Sequence, residues 1–349
     1  MRVIILTPNL SLNSLGRTYC LWRIGRELGW EVEVVATLGE SMWEPLVGSS
    51  FERDCRLVTE SELAAELERR RPNLLIAVKP LPTSFGLALA LRARFDIPLL
   101  LDVDDPDLEA LLSWRNPFKR AAKGVFRRRE MRQLIQLRKY ANTVPILVSN
   151  PMLQKRYGGT IIPHVREDSG FGAAHTSRAP LVAFIGTNRK HKGVRELRRA
   201  VNRLQPLGVR LIITAAEPAD SKPWEQWVGV TTMDEGLALV SNSDIIVVPS
   251  RRGLISQFQL PAKLIDAMMA GRGIAVSNVG PLPWALGSGG VVFTPSSVSS
   301  MCEAIETLCD PDRRTVLGML ARGRAREFAT VGGNLRAFEN AVRNAIEVH

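Results

Sequence analysis

Val247-Val248-Pro249-Ser250, followed by Gln259-Leu260-Pro261-Ala262-Lys263-Leu264-Ile265-Asp266-Ala267-Met268-Met269-Ala270-Gly271 and then Ile274-Ala275-Val276-Ser277-Asn278-Val279-Gly280, is the stretch that decides the fold. Its apolar runs Ile245 to Val248 and Ile274 to Ser277 read as strands, because short runs with few polar residues suit strands covered on both faces of a parallel sheet. Each run ends in a polar or proline-containing loop. In doubly wound folds such loops form the edge where ligands bind.

Working outward, Val182 to Ile185, Val209 to Thr214 and Val291 to Phe293 are further strands of the same half. The first half alternates similarly, with strands at Val3 to Thr7, Val32 to Ala36, Leu74 to Val78, Pro98 to Asp102 and Ile146 to Ser149. The opening repeats: Val3 matches Val182, and Leu28-Gly29 matches Leu207-Gly208. Strands alternating with longer helical stretches, repeated once, predict an α/β chain of two Rossmann-like doubly wound domains facing a cleft. The expected boundaries are 1–166, a linker at 167–180 rich in Gly, Ser, Ala and Pro, a second domain at 181–325 and a C-terminal segment at 326–349.

A chain of 349 residues with 45% hydrophobic and 23% charged residues is long enough for two cores and is not a disordered polymer. Four cysteines without Cys-x-x-Cys indicate neither a disulfide framework nor a structural metal. No window holds the roughly 18 consecutive apolar residues of a membrane span, and the N-terminus reads as a strand rather than a signal peptide, so a cytoplasmic location is expected. The net charge of +11 is concentrated between Arg115 and Lys139, which hold ten Lys or Arg against the single acid Glu130. Apolar residues interleave with those cations. This suits either an ordinary amphipathic helix or a peripheral contact of 115–139 with anionic lipid at the inner membrane face, and it is weak support for nucleic acid.

Gly186-Thr187-Asn188-Arg189-Lys190-His191-Lys192-Gly193 follows one strand and opens a helix. Backbone amides at a helix start, a flexible glycine and clustered cations suit a diphosphate, although a solvated basic turn has the same composition. Neither Walker spacing nor Gly-x-Gly-x-x-Gly is present, which disfavours a nucleoside triphosphatase or dehydrogenase.

Together with the opening stretch, this loop resembles the donor site of retaining nucleotide-sugar glycosyltransferases of the B-type fold, group 1, especially family four. Gly16, the run Tyr157 to Pro163, and Met233 to Asp244 extend the resemblance over most of the chain. It implies that the last helix, Asn334 to Ile346, crosses back to the first domain. It implies Lys192 on the diphosphate and Asp266 on the ribose hydroxyls, with Gly16, His164, Gly186, Met233, Gln259 and Lys263 also on the donor side. Two departures stand out: Phe258 replaces the first of two glutamates, and Thr187 replaces the phosphate arginine, for which Arg189 or Lys263 is the candidate substitute.

In the first domain, Leu101-Asp102-Val103-Asp104-Asp105 ends a strand, and Lys79-Pro80 ends the one before it. An Asp-x-Asp can hold a divalent metal on a diphosphate, as in A-type glycosyltransferases. The favoured reading gives Lys79, Asp102, Asp104 and Asp105 to the acceptor side, with Asp104 assisting as a general base and no metal or other cofactor. The expected reaction moves a sugar, with retention, from a nucleoside diphosphate sugar to a hydroxyl of a glycan, lipid-linked glycan or small natural product. A nucleotide-sugar epimerase of the same fold and a non-catalytic binding protein are the alternatives.

Overall fold

Arg2–Leu6 (β1) is buried along its whole length and pairs in parallel with Glu31–Ala36 (β2) on one side; Cys55–Leu57 (β3) then extends that side. Its other neighbour is Leu74–Val78 (β4), followed by Leu99–Val103 (β5), Ile146–Val148 (β6) and Thr160–Ile161 (β7). The resulting seven-stranded order, β3-β2-β1-β4-β5-β6-β7, begins as the doubly wound order does. The structure is a computed structural model that describes residues 1–112 and 128–349, without the side chains of Arg128 and Arg129.

A second sheet contains Leu181–Phe184 (β8), Arg210–Ile213 (β9), Glu225–Trp227 (β10), Ile245–Val248 (β11), Gly273–Ser277 (β12) and Val291–Phe293 (β13). Its order, β10-β9-β8-β11-β12-β13, repeats the first sheet's. Alternate residues serve opposite layers. Ala183, Ile246, Val248, Ile274 and Val276 pack with helix Ala262–Met269 and the alanines of helix Pro311–Phe328. Val182, Phe184, Ile245, Val247 and Ala275 pack with helices Val194–Arg203 and Val298–Thr307. Thr59 and Thr232 open Glu60–Arg69 and Met233–Asn242 with capping boxes, each N-cap worth ~1 kcal/mol.

Two units divide the chain: Met1–Pro163 with Asn334–His349, and His164–Gly333. The stretch 167–180, expected as a linker, is part of the second unit. Gly172 and Ala173 donate backbone hydrogen bonds to Ala270 and Ser241, Arg272 donates to Ala173 O at 2.7 Å, Arg314 donates to His175 O at 2.6 Å, and Arg322 pairs with Asp168. Small residues made this stretch look like a linker, whereas the arginines that hold it lie 99 to 154 residues later. The last helix runs Val331–Glu347, and its Phe338 stacks on Trp30 within the first unit. Short β3 and β10 carry no apolar run and are additions to the expected strands.

Candidate functional site

In the second unit, the loop from β8 to helix Val194–Arg203 is fixed at both ends. Gly186 has φ +136° and donates to Thr214 Oγ1 at 2.7 Å. Gly193 has φ +69°, and a Cβ there would lie 1.9 Å from Pro249 O, so only glycine lets this helix start touch the end of β11. Arg251 reinforces the contact, donating its backbone N–H to His191 O at 2.8 Å and its guanidinium to Glu196 at 2.6 and 3.1 Å. Thr187, Asn188, Arg189 and Lys190 are exposed on the loop. His191 is half-buried, and burial followed by Lys192 and Arg189 pushes its imidazole below the usual value, favouring the neutral form.

Lys192 reaches across to donate to Gln259 Oε1 at 2.5 Å, just ahead of helix Ala262–Met269. The ammonium is thereby held where two helices begin, in a region of positive dipole potential suited to phosphate. Phe258 is half-buried beside Gln259. Lys263, in the first turn of the same helix, brings its Nζ to 3.3 Å from where a Cβ on Gly236 would stand, close to the helix that Met233 opens.

Asp266 is not on a solvated helix face. It is buried, its Oδ1 accepts from Arg166 Nε, and its Oδ2 lies 3.4 Å from Lys263 Nζ. Burial alone would raise this carboxyl, but Arg166 and Lys263 hold it below its usual range. Arg166 was not among the expected site residues, because nothing in Val165-Arg166-Glu167 marks it before the fold brings it to Asp266. His164 is buried and begins this unit.

The first unit gathers a different set. Asp102 is wholly buried, its carboxylate engaged by Arg17 Nη2 at 2.6 Å and Nε at 3.0 and 3.1 Å, while Arg17 Nη1 donates to Pro163 O at 2.9 Å. The expectation that Asp102 faces an acceptor is therefore corrected: β5 continues through Val103, and position 102 is interior. Lys79 needs a similar correction, since its Nζ lies 2.8 Å from Asp104, 3.2 Å from Asp105 and 2.9 Å from Asp107 rather than facing a ligand alone. Lys79 also sits in the left-handed region, at φ +66°. Burial would lower its ammonium, yet the three carboxylates hold it well above the usual value. Gly16 is the second residue of helix Leu15–Glu27 in this unit, beside the Trp43 ring. Among the described residues, no group of three His, Cys, Asp or Glu is placed to hold a metal ion.

Burial, opposed by Lys79 and aided by Asp104 and Asp105, pushes the Asp107 carboxyl up to about 7. The folded state then keeps this proton while the unfolded state releases it near pH 4. Stability contributed by the protonated form is complete below pH 4 and is lost as pH rises to about 7. Asp107→Asn should therefore gain on the wild type by ~1 kcal/mol or more between pH 4 and 8 in denaturant titrations. Parallel pH profiles for the two proteins would show that the carboxyl titrates normally.

Residues 179–310, within the second unit, match the family model for glycosyl transferases group 1. They form a group 1 glycosyltransferase domain. No curated protein sequence matches the chain. Among solved structures, sucrose-phosphate synthase from Thermosynechococcus elongatus superposes with TM-score 0.73 at 14% identity, covering 100% of both chains. Anabaena HepE in complex with UDP and glucose gives 0.72 at 13%, covering 99% of this chain and all of the other. A glycosyltransferase from Rickettsia africae gives 0.71 at 11%, covering 99% and 98%. These likenesses establish the B-type glycosyltransferase fold. The loop Gly186–Gly193, Lys192, Gln259 and Asp266 all fall inside the group 1 domain.

Proposed function

We propose that the chain is a retaining glycosyltransferase that moves a sugar from a nucleoside diphosphate sugar to a hydroxyl acceptor without a metal ion. The carrying observation is Lys192, placed by Gln259 at the start of two helices within the group 1 domain. The likeness to HepE, crystallised with UDP and UDP-glucose, supports a nucleotide-sugar donor. Lys192 and the N–H groups that open helix Val194–Arg203 stabilise the charge that grows on the leaving phosphate oxygen. Such stabilisation favours departure of the nucleoside diphosphate, while the acceptor hydroxyl attacks the anomeric carbon from the same face and gives its proton to the departing phosphate oxygen. In the first unit, one ammonium faces the three carboxylates Asp104, Asp105 and Asp107. A carboxylate beside an ammonium accepts hydrogen bonds from a group such as a hydroxyl, and Asp104 is assigned to the acceptor side.

A thermal-shift panel of nucleoside diphosphates identifies the base, since a ligand stabilises the state it binds. Nucleotide release from the matching sugar donor that rises with added acceptor supports transfer. Release independent of acceptor, or no stabilisation by any nucleotide, rejects it. Activity should persist after exhaustive chelation.

A lipid-borne acceptor is one reading of 115–139, beside that of an ordinary amphipathic helix with its apolar side on the sheet. Residues 113–127, and with them Arg127 and Phe126, lie outside the described residues, as do the side chains of Arg128 and Arg129. The described helix Arg128–Ala141 buries Leu134, Leu137 and Ala141, and exposes Arg132, Ile135, Arg138, Lys139 and Tyr140. The protein is expected to bind anionic vesicles at low salt and to release them as salt screens charges over ~8 to 10 Å. Unaltered partitioning after Arg132, Arg138 and Lys139 are changed to glutamine removes these three cations from the contact.

A further inference from the structure

We propose that the outer face of helix Pro311–Phe328 is a self-association surface, on which a second copy of this chain packs its own helix antiparallel about a two-fold axis. One side of the helix is inside: Arg314, Gly318, Ala321 and Ala325 are buried against the second unit. The opposite side is apolar rather than polar. Val316, Met319 and Leu320 are exposed at 52%, 49% and 48%, and with Gly323 they fall within an arc of ~100° on a helix that turns ~100° per residue. A surface helix ordinarily sets charged and polar residues there. Phe171, exposed at 62%, flanks the same helix, with its ring centroid 4.6 Å from the Arg322 guanidinium. Apolar side chains gathered in this way mark an interaction site, whereas scattered ones do not.

The charges at the two ends of the stripe identify the occupant. Asp312 and Arg313 stand at its start, Arg326 and Glu327 at its end, and all four are exposed. Asp310 fixes the start by accepting from the backbone N–H of Asp312 at 2.9 Å and of Arg313 at 3.4 Å. By the turn of the helix, Asp312, Met319 and Arg326 lie on one flank of the stripe, and Arg313, Leu320 and Glu327 on the other. A two-fold axis between antiparallel helices sets each flank against the same flank of the copy. With the pair centred between Met319 and Leu320, Val316 faces the partner's Gly323, Asp312 meets the partner's Arg326, and Arg313 meets the partner's Glu327. Each opposite-charge pair then occurs twice. Gly323 opens the notch that Val316 enters, since a Cβ on it would meet no atom within 4 Å among the described residues. A face for anionic lipid would carry cations around its whole rim. This rim carries both signs, in an arrangement complementary to itself.

Sedimentation velocity of the full chain over about 1 to 200 µM reads the association directly. The wild-type mass should rise from that of one chain towards that of two. Met319→Glu with Leu320→Glu should weaken the dimer by about a hundredfold or more, because two charges enter its apolar centre. At concentrations where the wild type is a single chain, its melting should match the wild type's, since both positions are exposed. Arg313→Glu and Glu327→Arg test the register. Each alone sets like charges opposite one another twice and should weaken association about tenfold, while an equimolar mixture of the two variants restores opposite charges at both sites and should associate as tightly as the wild type. A wild type that stays a single chain throughout, a dimer that the paired glutamates leave intact, or a mixture that associates no better than its components overturns the proposal. A single chain whose Met319 and Leu320 are instead required for binding to anionic vesicles assigns the face to lipid and also overturns it. None of these outcomes depends on the donor.

Discussion

Lys192→Ala should weaken nucleoside diphosphate binding by roughly ten- to a hundredfold, because a charge-assisted contact of ~1.5 to 3 kcal/mol is removed. Turnover should fall by a larger factor than affinity. The ammonium acts on charge that is only partly developed in the bound donor and is greatest as the phosphate leaves, so its effect is stronger in the transition state. The fold should be unaffected, since Lys192 is half-buried on the loop and lies outside the hydrophobic clusters of the second unit. Lys192→Arg separates charge from geometry: it keeps the cation but does not reproduce a compact ammonium seated on Gln259 Oε1. Calorimetric titration of the best-binding diphosphate, with initial rates of nucleotide release, provides both measurements. Equal affinity and equal rate in Lys192→Ala would remove the loop from the donor site and leave it a solvated basic turn.

Much of the architecture is legible in the sequence because the buried strands are read from composition alone. Val182 to Ile185, Ile245 to Val248 and Ile274 to Ser277 are apolar runs, and a strand covered on both faces leaves such a run whatever its neighbours are. Glu225–Trp227 at the sheet edge is too short and polar to leave one. The phosphate loop is legible for a related reason: it is local, and its glycines mark backbone geometry that side chains forbid. The acidic strand end was legible as a location and not as a set of contacts. Asp102 lies within β5 and Asp104 just past its end, so the first is held by Arg17 and the second meets Lys79. Nothing near Asp102 announces an arginine 85 residues earlier. The same applies to Arg166 and Asp266, which meet across 100 residues. Contacts of this range are set by tertiary packing, and a single sequence records their members without their pairing.

Breaking the Arg17–Asp102 pair should cost the first unit more stability than the Lys192 substitution costs the second. Both side chains are fully buried and joined by three contacts of 2.6 to 3.1 Å. Burial works against the Arg17 charge, and Asp102 more than offsets it. Removing one partner leaves an uncompensated buried charge, which costs ~3 to 5 kcal/mol, a large share of the 5 to 15 kcal/mol that typically stabilises a folded protein. Arg17→Met also frees Pro163 O from its 2.9 Å donor, so it should be at least as damaging as Asp102→Asn. At ~2 to 4 °C per kcal/mol for a unit of this size, either single variant should melt ~10 °C below the wild type. The double variant Arg17→Met/Asp102→Leu should recover much of that loss, because replacing both charges with apolar groups of similar volume removes the desolvation penalty along with the attraction. A single variant that melts within about 2 °C of the wild type, while the acceptor KM rises, would mean that Asp102 is reached by ligand after all, since a group that water and acceptor reach loses little stability when its partner is removed.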